Sequence, residues 1–223
     1  MQVALDYWSV LDQWPILLTG VLWTVGLTAI SALLGVSIGL LLGWARENGP
    51  LSVKTLVGIY VEFIRNTPFI VQLFFVFFGL PAIGVRLSPE AASVIAMVVN
   101  LGAYATEIVR AGIMATLKGQ IEAAMSLALS RFQLFFYVVL PPALRKVWPA
   151  LVSQIIIVML GSAVCGQIST PELSYAANLI QSRNFRAFES YIVATVLYLL
   201  LAIGLRALLN WVGQRFLFGM RHG

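Results

Sequence analysis

The 223-residue sequence is poor in charge, histidine and cysteine, and each shortage excludes a class of protein. Only 10% of the residues are charged, whereas a soluble domain carries about 25%, which argues against an ordinary soluble enzyme. His222 is the only histidine, so a multi-histidine zinc site or an internal histidine triad is not expected. Cys165 is the only cysteine, so no internal disulfide framework can form. The sequence predicts no catalytic residue, no metal site and no cofactor of its own.

A nucleotide-binding loop is also missing. No G-x-x-x-x-G-K-[ST] motif occurs in the sequence, and that motif is the glycine-rich loop whose backbone cradles the phosphates of ATP. If ATP drives this protein, a different polypeptide must bind and hydrolyse it.

Long uncharged apolar runs dominate what is present. Three of them, Gln13–Ala45, Asn66–Val85 and Val147–Pro171, reach the length of about 20 residues that a transmembrane helix needs. Ala91–Thr106 and Ser190–Leu205 are somewhat shorter, and they reach that length if the flanking charges extend toward the interface. Barrel strands alternate over only about ten residues. The sequence therefore predicts an all-α polytopic membrane protein of about five transmembrane helices, in a single domain covering residues 1–223.

Proline, glycine and charge mark the limits of these spans. Asn48-Gly49-Pro50 ends the first span, and Ser88-Pro89 precedes the third. Pro68 interrupts the second span. The predicted spans are 16–45, about 53–80, 89–113, 150–170 and 189–212, and a more polar loop of about 116–149 separates the third from the fourth.

The basic residues predict which ends of the spans are cytoplasmic. Cytoplasmic loops carry an excess of Lys and Arg, and the net charge is +5. With the N-terminus outside and the C-terminus inside, ten basic residues are cytoplasmic and three are external. The ten are Arg46, Lys54, Arg110, Lys118, Arg131, Arg145, Lys146, Arg206, Arg215 and Arg221, and the three are Arg86, Arg183 and Arg186. This placement explains the basic balance without a nucleic-acid partner.

The loop at 116–149 is long for a connection in a chain of this size. Ile121–Leu129 is rich in good helix formers, and Ser130 with Gln133 matches a capping box for a second helix. A helix this short cannot bury its apolar side alone, so we expect it to dock on something else.

This loop resembles the EAA loop of ABC importer permeases. It contains Gly119-Gln120, then Glu122-Ala123-Ala124, then Leu140-Pro141 at the expected distance. Other blocks are similar to the polar amino-acid uptake branch of that family, and the likeness covers about residues 16–215. These blocks are Arg65-Asn66-Thr67-Pro68, Gln72-Leu73, Ala103-Tyr104, Glu107-Ile108 with Arg110, Ala143-Leu144-Arg145, Pro149 and Pro171-Glu172-Leu173.

The resemblance implies a type I ABC importer permease fold in the bacterial cytoplasmic (inner) membrane. It implies that the chain forms the translocation path for polar amino acids and is not itself an enzyme. The implied partners are an ATPase subunit that binds ATP, a second permease subunit, identical or sister, and a periplasmic or extracellular solute-binding protein. The implied ATPase-coupling residues are Glu122, Ala123, Ala124, Ala128, Leu140 and Pro141. A bulky charged residue at Ala123 or Ala124 is expected to weaken the docking of the ATPase.

The sequence departs from the family pattern in two places. Ala128 stands where the loop usually has glycine, and alanine adopts a positive φ less readily, so we expect ordinary helix there. Leu160-Gly161-Ser162-Ala163-Val164 stands where the family often has Lys-Asp-Thr-Ser-Leu. Because the charged pair is absent, we expect no strong preference for cationic side chains.

Polar residues inside the spans have two readings. Asn100, Gln154, Ser162 and Gln167 are candidates for the substrate path, and each could equally be an interhelical hydrogen-bond partner. Glu107 and Arg110, at i and i+3, predict a structural ion pair, and Glu62 with Arg65 has the same spacing. Thr24, Thr28 and Ser31 share one face of the first span and predict close helix packing there.

Two other functions remain open from the sequence. The first is a small channel or secondary transporter that works without ATP, although no membrane carboxylate is clearly placed for a proton relay. The second is an ABC permease for a different small solute. Copurification of an ATPase would distinguish the ABC permease from a channel or secondary transporter. Binding assays on the solute-binding partner would distinguish a permease for polar amino acids from one for a different solute.

Overall fold

The computed structural model describes residues 5–217, apart from the side chains of Lys118 and Arg131. Arg221 and His222 of the sequence analysis lie outside the described residues. The described part of the chain contains no strand. Its α-helices are α1 (Trp8–Leu11), α2 (Trp14–Asn48), α3 (Leu51–Arg65), α4 (Phe69–Phe74), α5 (Pro89–Met114), α6 (Lys118–Ser126), α7 (Arg131–Gln133), α8 (Leu140–Gly161), α9 (Leu173–Asn184) and α10 (Ala187–Val212).

Shorter helical turns of other types extend several of these helices. Phe75–Gly79, Leu134–Val139 and Gly213–Leu217 are π-helical, and Leu80–Ile83 and Ser162–Ile168 are 3₁₀-helical. Four stretches are long and apolar enough to cross a membrane, and α3 with its continuation to Ile83 makes a fifth. The predicted all-α polytopic fold with about five spans is confirmed.

The second span is broken where the sequence predicts an interruption. The axes of α3 and of the segment that begins at Phe69 differ by 107°. Pro68 has φ −63° and ψ 138°, which is extended backbone rather than helix, and proline has no N–H to donate to the preceding turn. The chain therefore leaves α3 at Asn66 and starts a new helix at Phe69.

A face of small residues on α2 lets α5 approach closely. Thr24, Thr28 and Ser31 are buried, so the predicted packing face is confirmed. Farther along the same face, a Cβ at Gly35 would lie 2.9 Å from Cβ of Leu101, and one at Gly43 would lie 3.0 Å from Cγ1 of Val109. These separations leave no room for a side chain. The two helices therefore pack backbone against backbone, as small residues permit in membranes.

The fourth span begins earlier than the sequence predicts. The predicted start at residue 150 is wrong, because α8 begins at Leu140 and the π-helical turn before it begins at Leu134. Pro141 falls in the first turn of α8, directly after the π-helical turn Leu134–Val139. Pro149 lies inside the helix. The helix that contains the fourth span therefore reaches back to Leu134, inside the predicted loop of 116–149.

Helix α9 lies where the sequence analysis predicts no helix. Its buried residues are Leu173, Ala176, Ala177 and Ile180, a spacing of three and four residues that is typical of one helix face. Glu172 caps its start, since the carboxylate accepts hydrogen bonds from the backbone N–H groups of Ser174 at 3.0 Å and Tyr175 at 2.7 Å. The helix packs between α2 and α10 at the ends of these two helices nearest Gln13 and Ala187.

Candidate functional site

The short helix α6 packs on the end of the bundle through one side. Ala124 is only 4% exposed, and Ile121 packs against a cluster that includes Val109, Ile113 and Phe135. Glu122 and Ala123 are exposed on the other side. Of the triplet at 122–124, the first two residues are therefore accessible to another molecule, whereas Ala124 holds α6 against its own chain.

The end of α6 corrects the expectation for Ala128. The chain there is not ordinary helix, because Ala128 has φ 55°, in the left-handed region. Its N–H donates to the carbonyl of Met125 at 2.9 Å, and the N–H of Leu129 donates to the carbonyl of Ala124 at 3.4 Å. This pair of bonds is the Schellman ending of a helix, a position that glycine usually occupies. The backbone thus keeps the left-handed turn although the side chain opposes it.

Replacing Ala128 with glycine is expected to stabilise the protein by about 1 kcal/mol, because the left-handed region costs an L-residue roughly 1–2 kcal/mol and costs glycine little. This gain corresponds to a rise in melting temperature of roughly 2–4 °C, measurable in detergent. The matched control is Ala123→Gly, at an exposed position inside α6, which is expected to lower stability by about 0.5–1 kcal/mol. Equal changes in melting temperature from both substitutions would contradict the left-handed conformation of Ala128.

The connection from α6 to α8 is formed by local hydrogen bonds. The N–H of Gln133 donates to Oγ of Ser130 at 3.3 Å, and the N–H of Ser130 donates to Oε1 of Gln133 at 2.9 Å. The predicted capping box is thereby confirmed. Leu140 packs on the same cluster as Ile121, and Pro141 is partly buried at the first turn of α8. Helix is therefore continuous from Arg131 to the fourth span, and the turn at residues 127–130 joins it to α6.

Asn100 lies in the middle of α5 and holds the break in the second span. Its Nδ2 donates to Oε1 of Gln72 at 3.0 Å. The Nε2 of Gln72 in turn donates to the carbonyl of Ile64 at 2.7 Å and to the carbonyl and hydroxyl oxygens of Thr67 at 3.0 and 2.9 Å. Carbonyls freed by the break therefore find a donor in the side chain of Gln72, and Asn100 orients that side chain.

The other three path candidates have different surroundings. Ser162 is fully buried, and its hydroxyl donates to the carbonyl of Met159 at 2.6 Å. Gln154 is partly exposed and Gln167 is exposed. Gly161 lies two turns after Gln154 on α8, and a Cβ there would meet nothing within 4 Å. Gln154 and Gly161 thus share an open, uncharged side of α8 that Ser162 does not reach.

Glu107 is the centre of an ion cluster that joins the ends of three helices. Arg46 of α2 donates to its carboxylate. Arg65, at the end of α3, lies 3.8 Å from Oε2, and Arg110 lies 3.7 Å from the same oxygen. The Nε of Arg110 also lies 3.5 Å from Glu47. These side chains are only 17% to 39% exposed. Charges removed from water are costly without partners, so the cluster makes it possible for these helix ends to meet.

The sequence predicts only part of this cluster. Glu107 and Arg110 do meet, but the predicted pair between Glu62 and Arg65 is wrong. Arg65 turns to Glu107 and lies over the ring of Tyr104 at 5.4 Å, and Glu62 accepts a hydrogen bond from Asn66 instead, at 2.9 Å. No sequence signal relates Arg46 to Glu107, because 61 residues separate them.

Comparison with known proteins gives consistent matches. Residues 35–218 match the family described as "Binding-protein-dependent transport system inner membrane component". The glutamine transport system permease protein GlnP of Escherichia coli (strain K12) is 34% identical over 212 residues, covering 94% of this chain and 97% of that protein. The L-cystine transport system permease protein TcyB of Bacillus subtilis (strain 168) is 36% identical over 194 residues, covering 86% of this chain and 83% of that protein.

Solved structures match over nearly the whole chain. A crystal structure of an amino acid ABC transporter with histidines superposes with a TM-score of 0.86 and 32% identity, covering 96% of this chain and 100% of that one. The MetNI methionine ABC transporter in an inward-facing conformation superposes with a TM-score of 0.67, covering 92% of this chain and 96% of that one. At 22% identity the second likeness shows the fold alone.

Proposed function

The chain belongs to the family of inner-membrane components of binding-protein-dependent transport systems, and on that premise we propose that it carries an amino acid with a neutral polar side chain. It is the membrane-spanning permease subunit of an ABC importer with the type I fold, and it is not itself an enzyme.

The open side of α8 supports a neutral substrate. Gln154 and Gly161 lie there, and the surrounding stretch Leu160–Val164 carries no charge. A cationic side chain in a membrane path needs a carboxylate to offset its desolvation. An amide such as Gln154 can both donate and accept hydrogen bonds with a polar neutral group. The names of the relatives, glutamine and L-cystine permeases, point to the same class.

We expect glutamine or cystine to compete best for uptake in cells that make the complete transporter. The Gln154→Leu variant is expected to lower the uptake rate about tenfold, while the solute-binding protein keeps its own affinity. A matched control is Thr195→Val, since the hydroxyl of Thr195 donates to the carbonyl of Tyr191 within α10 at 2.7 Å. Best competition by arginine or lysine would refute the neutral substrate, and unchanged uptake by Gln154→Leu would remove that residue from the path.

The coupling proposal assigns the docking of an ATPase subunit to the outer side of α6. Glu122 and Ala123 are exposed there, and the small side chain of Ala123 allows another backbone to approach. Movement of α6 would reach the fourth span through the turn at residues 127–130 and the helix that follows it, which passes through Leu140 and Pro141. ATP is bound by the ATPase subunit, and this chain needs no cofactor of its own. A second permease, identical or sister, and a solute-binding protein complete the transporter.

The orientation proposal places the N-terminus outside and the C-terminus in the cytoplasm of a bacterial cell. It is supported by the excess of basic residues on the side that the sequence predicts to be cytoplasmic, ten against three. In this orientation α6 faces the compartment in which ATP is available.

A further inference from the structure

An apolar groove lies between α2 and the helical segment that leads into α8. Its volume is about 350 Å³, which is within the range of roughly 300–1,000 Å³ for pockets that hold small ligands. The two segments supply its lining of aromatic and leucine side chains and one serine: Ser37, Leu40, Leu41, Trp44, Phe132, Phe135, Phe136 and Leu140. The groove therefore follows the line along which α2 and this segment meet.

Contacts between aromatic rings hold the walls of the groove. The ring centroids of Trp44 and Phe135 are 5.6 Å apart, and those of Phe132 and Phe136 are 4.3 Å apart. Phe135 is buried, whereas Phe132 and Phe136 are exposed. Because the rings pack on each other, the groove is already formed in the permease by itself.

The part of α2 that lines the groove lies in the membrane. Ser37 and Trp44 belong to the uncharged run Gln13–Ala45, which ends just before Arg46. An α-helix rises about 1.5 Å per residue, so Ser37 lies roughly 16 Å from the end of α2 at Asn48. A protein in the water beyond Asn48 would have to enter the bilayer to fill the groove.

The groove offers little to a polar ligand. The hydroxyl of Ser37 already donates to the carbonyl of Leu33 within α2, at 2.7 Å. The lining carries no charge, and its only other polar side-chain group is the indole N–H of Trp44. Tryptophan favours the boundary between membrane and water, and Trp44 stands at the end of the groove nearest Arg46. The lining therefore fits a hydrocarbon chain whose polar end lies beyond Trp44.

The groove is on a different side of α2 from α5. Gly35 and Gly43 pack against α5, whereas Leu33, Ser37 and Leu41 are exposed and follow one another at a spacing of four residues along another face. A chain from the bilayer therefore reaches the groove without displacing a helix.

We infer that this groove binds one acyl chain of a bilayer phospholipid, which enters from the leaflet nearest Arg46. The inference rests on the membrane-spanning fold and not on the proposed docking of an ATPase. The chain fills the space between α2 and the π-helical turn Leu134–Val139. It thereby stabilises the contact of α2 with the helix that connects α6 to the fourth span.

The first test is native mass spectrometry of the full-length permease, which measures the phospholipid that stays bound in detergent. Leu41→Trp places an indole in the groove and is expected to lower the retained fraction at least about tenfold. Leu33→Trp is the matched control, since it makes the same change on the same exposed face of α2, outside the lining. The control should retain as much phospholipid as the unchanged protein. Because Leu33 and Leu41 are both exposed, both variants should fold, and a thermal melt checks this.

The second test adds phosphatidylethanolamine to permease from which lipid has been removed. A ligand that binds only the folded state raises the melting temperature. We expect a rise of about 2–4 °C at a few times the dissociation constant for the unchanged protein and for Leu33→Trp. Leu41→Trp should show less than half of that rise.

Equal retention and equal melting shifts in all three proteins would overturn the inference, and so would equal losses in both tryptophan variants. A retained mass that belongs to a free fatty acid or to detergent would also overturn it. If Leu41→Trp alone released a second permease and not a phospholipid, the groove would be a contact between subunits, and the assignment to lipid would be wrong.

Discussion

Gly39→Val is expected to prevent the normal packing of α2 on α5. A Cβ at Gly39 would lie 2.9 Å from the carbonyl carbon of Ala105 and 3.0 Å from the backbone nitrogen of Thr106. Real Cβ atoms do not approach backbone this closely, and a backbone inside a buried helix cannot move aside as a flexible side chain can. Overpacking costs about 1–3 kcal/mol when side chains adjust, so we expect about 3 kcal/mol or more here.

The measurement is the melting temperature of the purified permease, which should fall by roughly 10 °C, together with the amount recovered from membranes. Gly26→Val is the matched control, since it makes the same change in the same helix at a position where a Cβ meets nothing within 4 Å. That control should melt within about 2 °C of the unchanged protein. A similar fall in melting temperature in both variants would mean that α2 tolerates valine poorly at any position, and would contradict the close packing of α5 against Gly39.

Ala123→Arg is expected to release the ATPase while the permease stays folded. Ala123 is exposed, so a long charged side chain there projects toward the docking partner and not into the bundle. A clash worth about 1–3 kcal/mol weakens docking by roughly one to two decades. Transport should fall in proportion to the ATPase that copurifies. Undiminished transport would remove the outer side of α6 from the coupling to the ATPase.

Ala123 is a better position than Ala124 for testing whether the ATPase docks on α6. Ala124 is buried against its own chain, so Ala124→Arg should lower the melting temperature as well as docking and cannot separate the two effects. Ser52→Arg, at an exposed position on α3, is the control for added charge. Labelling of Ala123→Cys by an impermeant maleimide only in inside-out vesicles would support the proposed orientation, since the native Cys165 is fully buried.

Features set by neighbouring residues could be predicted from the sequence. The start of α5 at Pro89, the break at Pro68 and the capping box at Ser130 each depend on a few adjacent residues whose chemistry allows one local conformation. The long apolar runs predicted the number of spans because the bilayer fixes the length of a helix that crosses it. The small face of α2 could have been followed farther, since Gly35, Gly39 and Gly43 recur every four residues.

Features set by distant contacts could not be predicted. Arg65 has a carboxylate at i−3, yet it turns to Glu107 because the bend after α3 places it there. The left-handed Ala128 contradicts its own intrinsic preference, and only the packing of α6 on one side and the capped α7 on the other accounts for it. Start signals for α9 were present at Glu172 and in the spacing after it, but its polar residues are typical of a loop.

The ion cluster around Glu107 has a consequence for how the chain enters the membrane during synthesis. Arg46 precedes Glu107 by 61 residues. The ribosome therefore makes Arg46 roughly 3 to 12 seconds before Glu107 at ordinary elongation rates. Arg65 follows within that interval, and until Glu107 is made neither guanidinium group has the carboxylate that pairs it in the finished protein. The ion pairs that hold the end of α3 against α5 can therefore form only after the third span has been made.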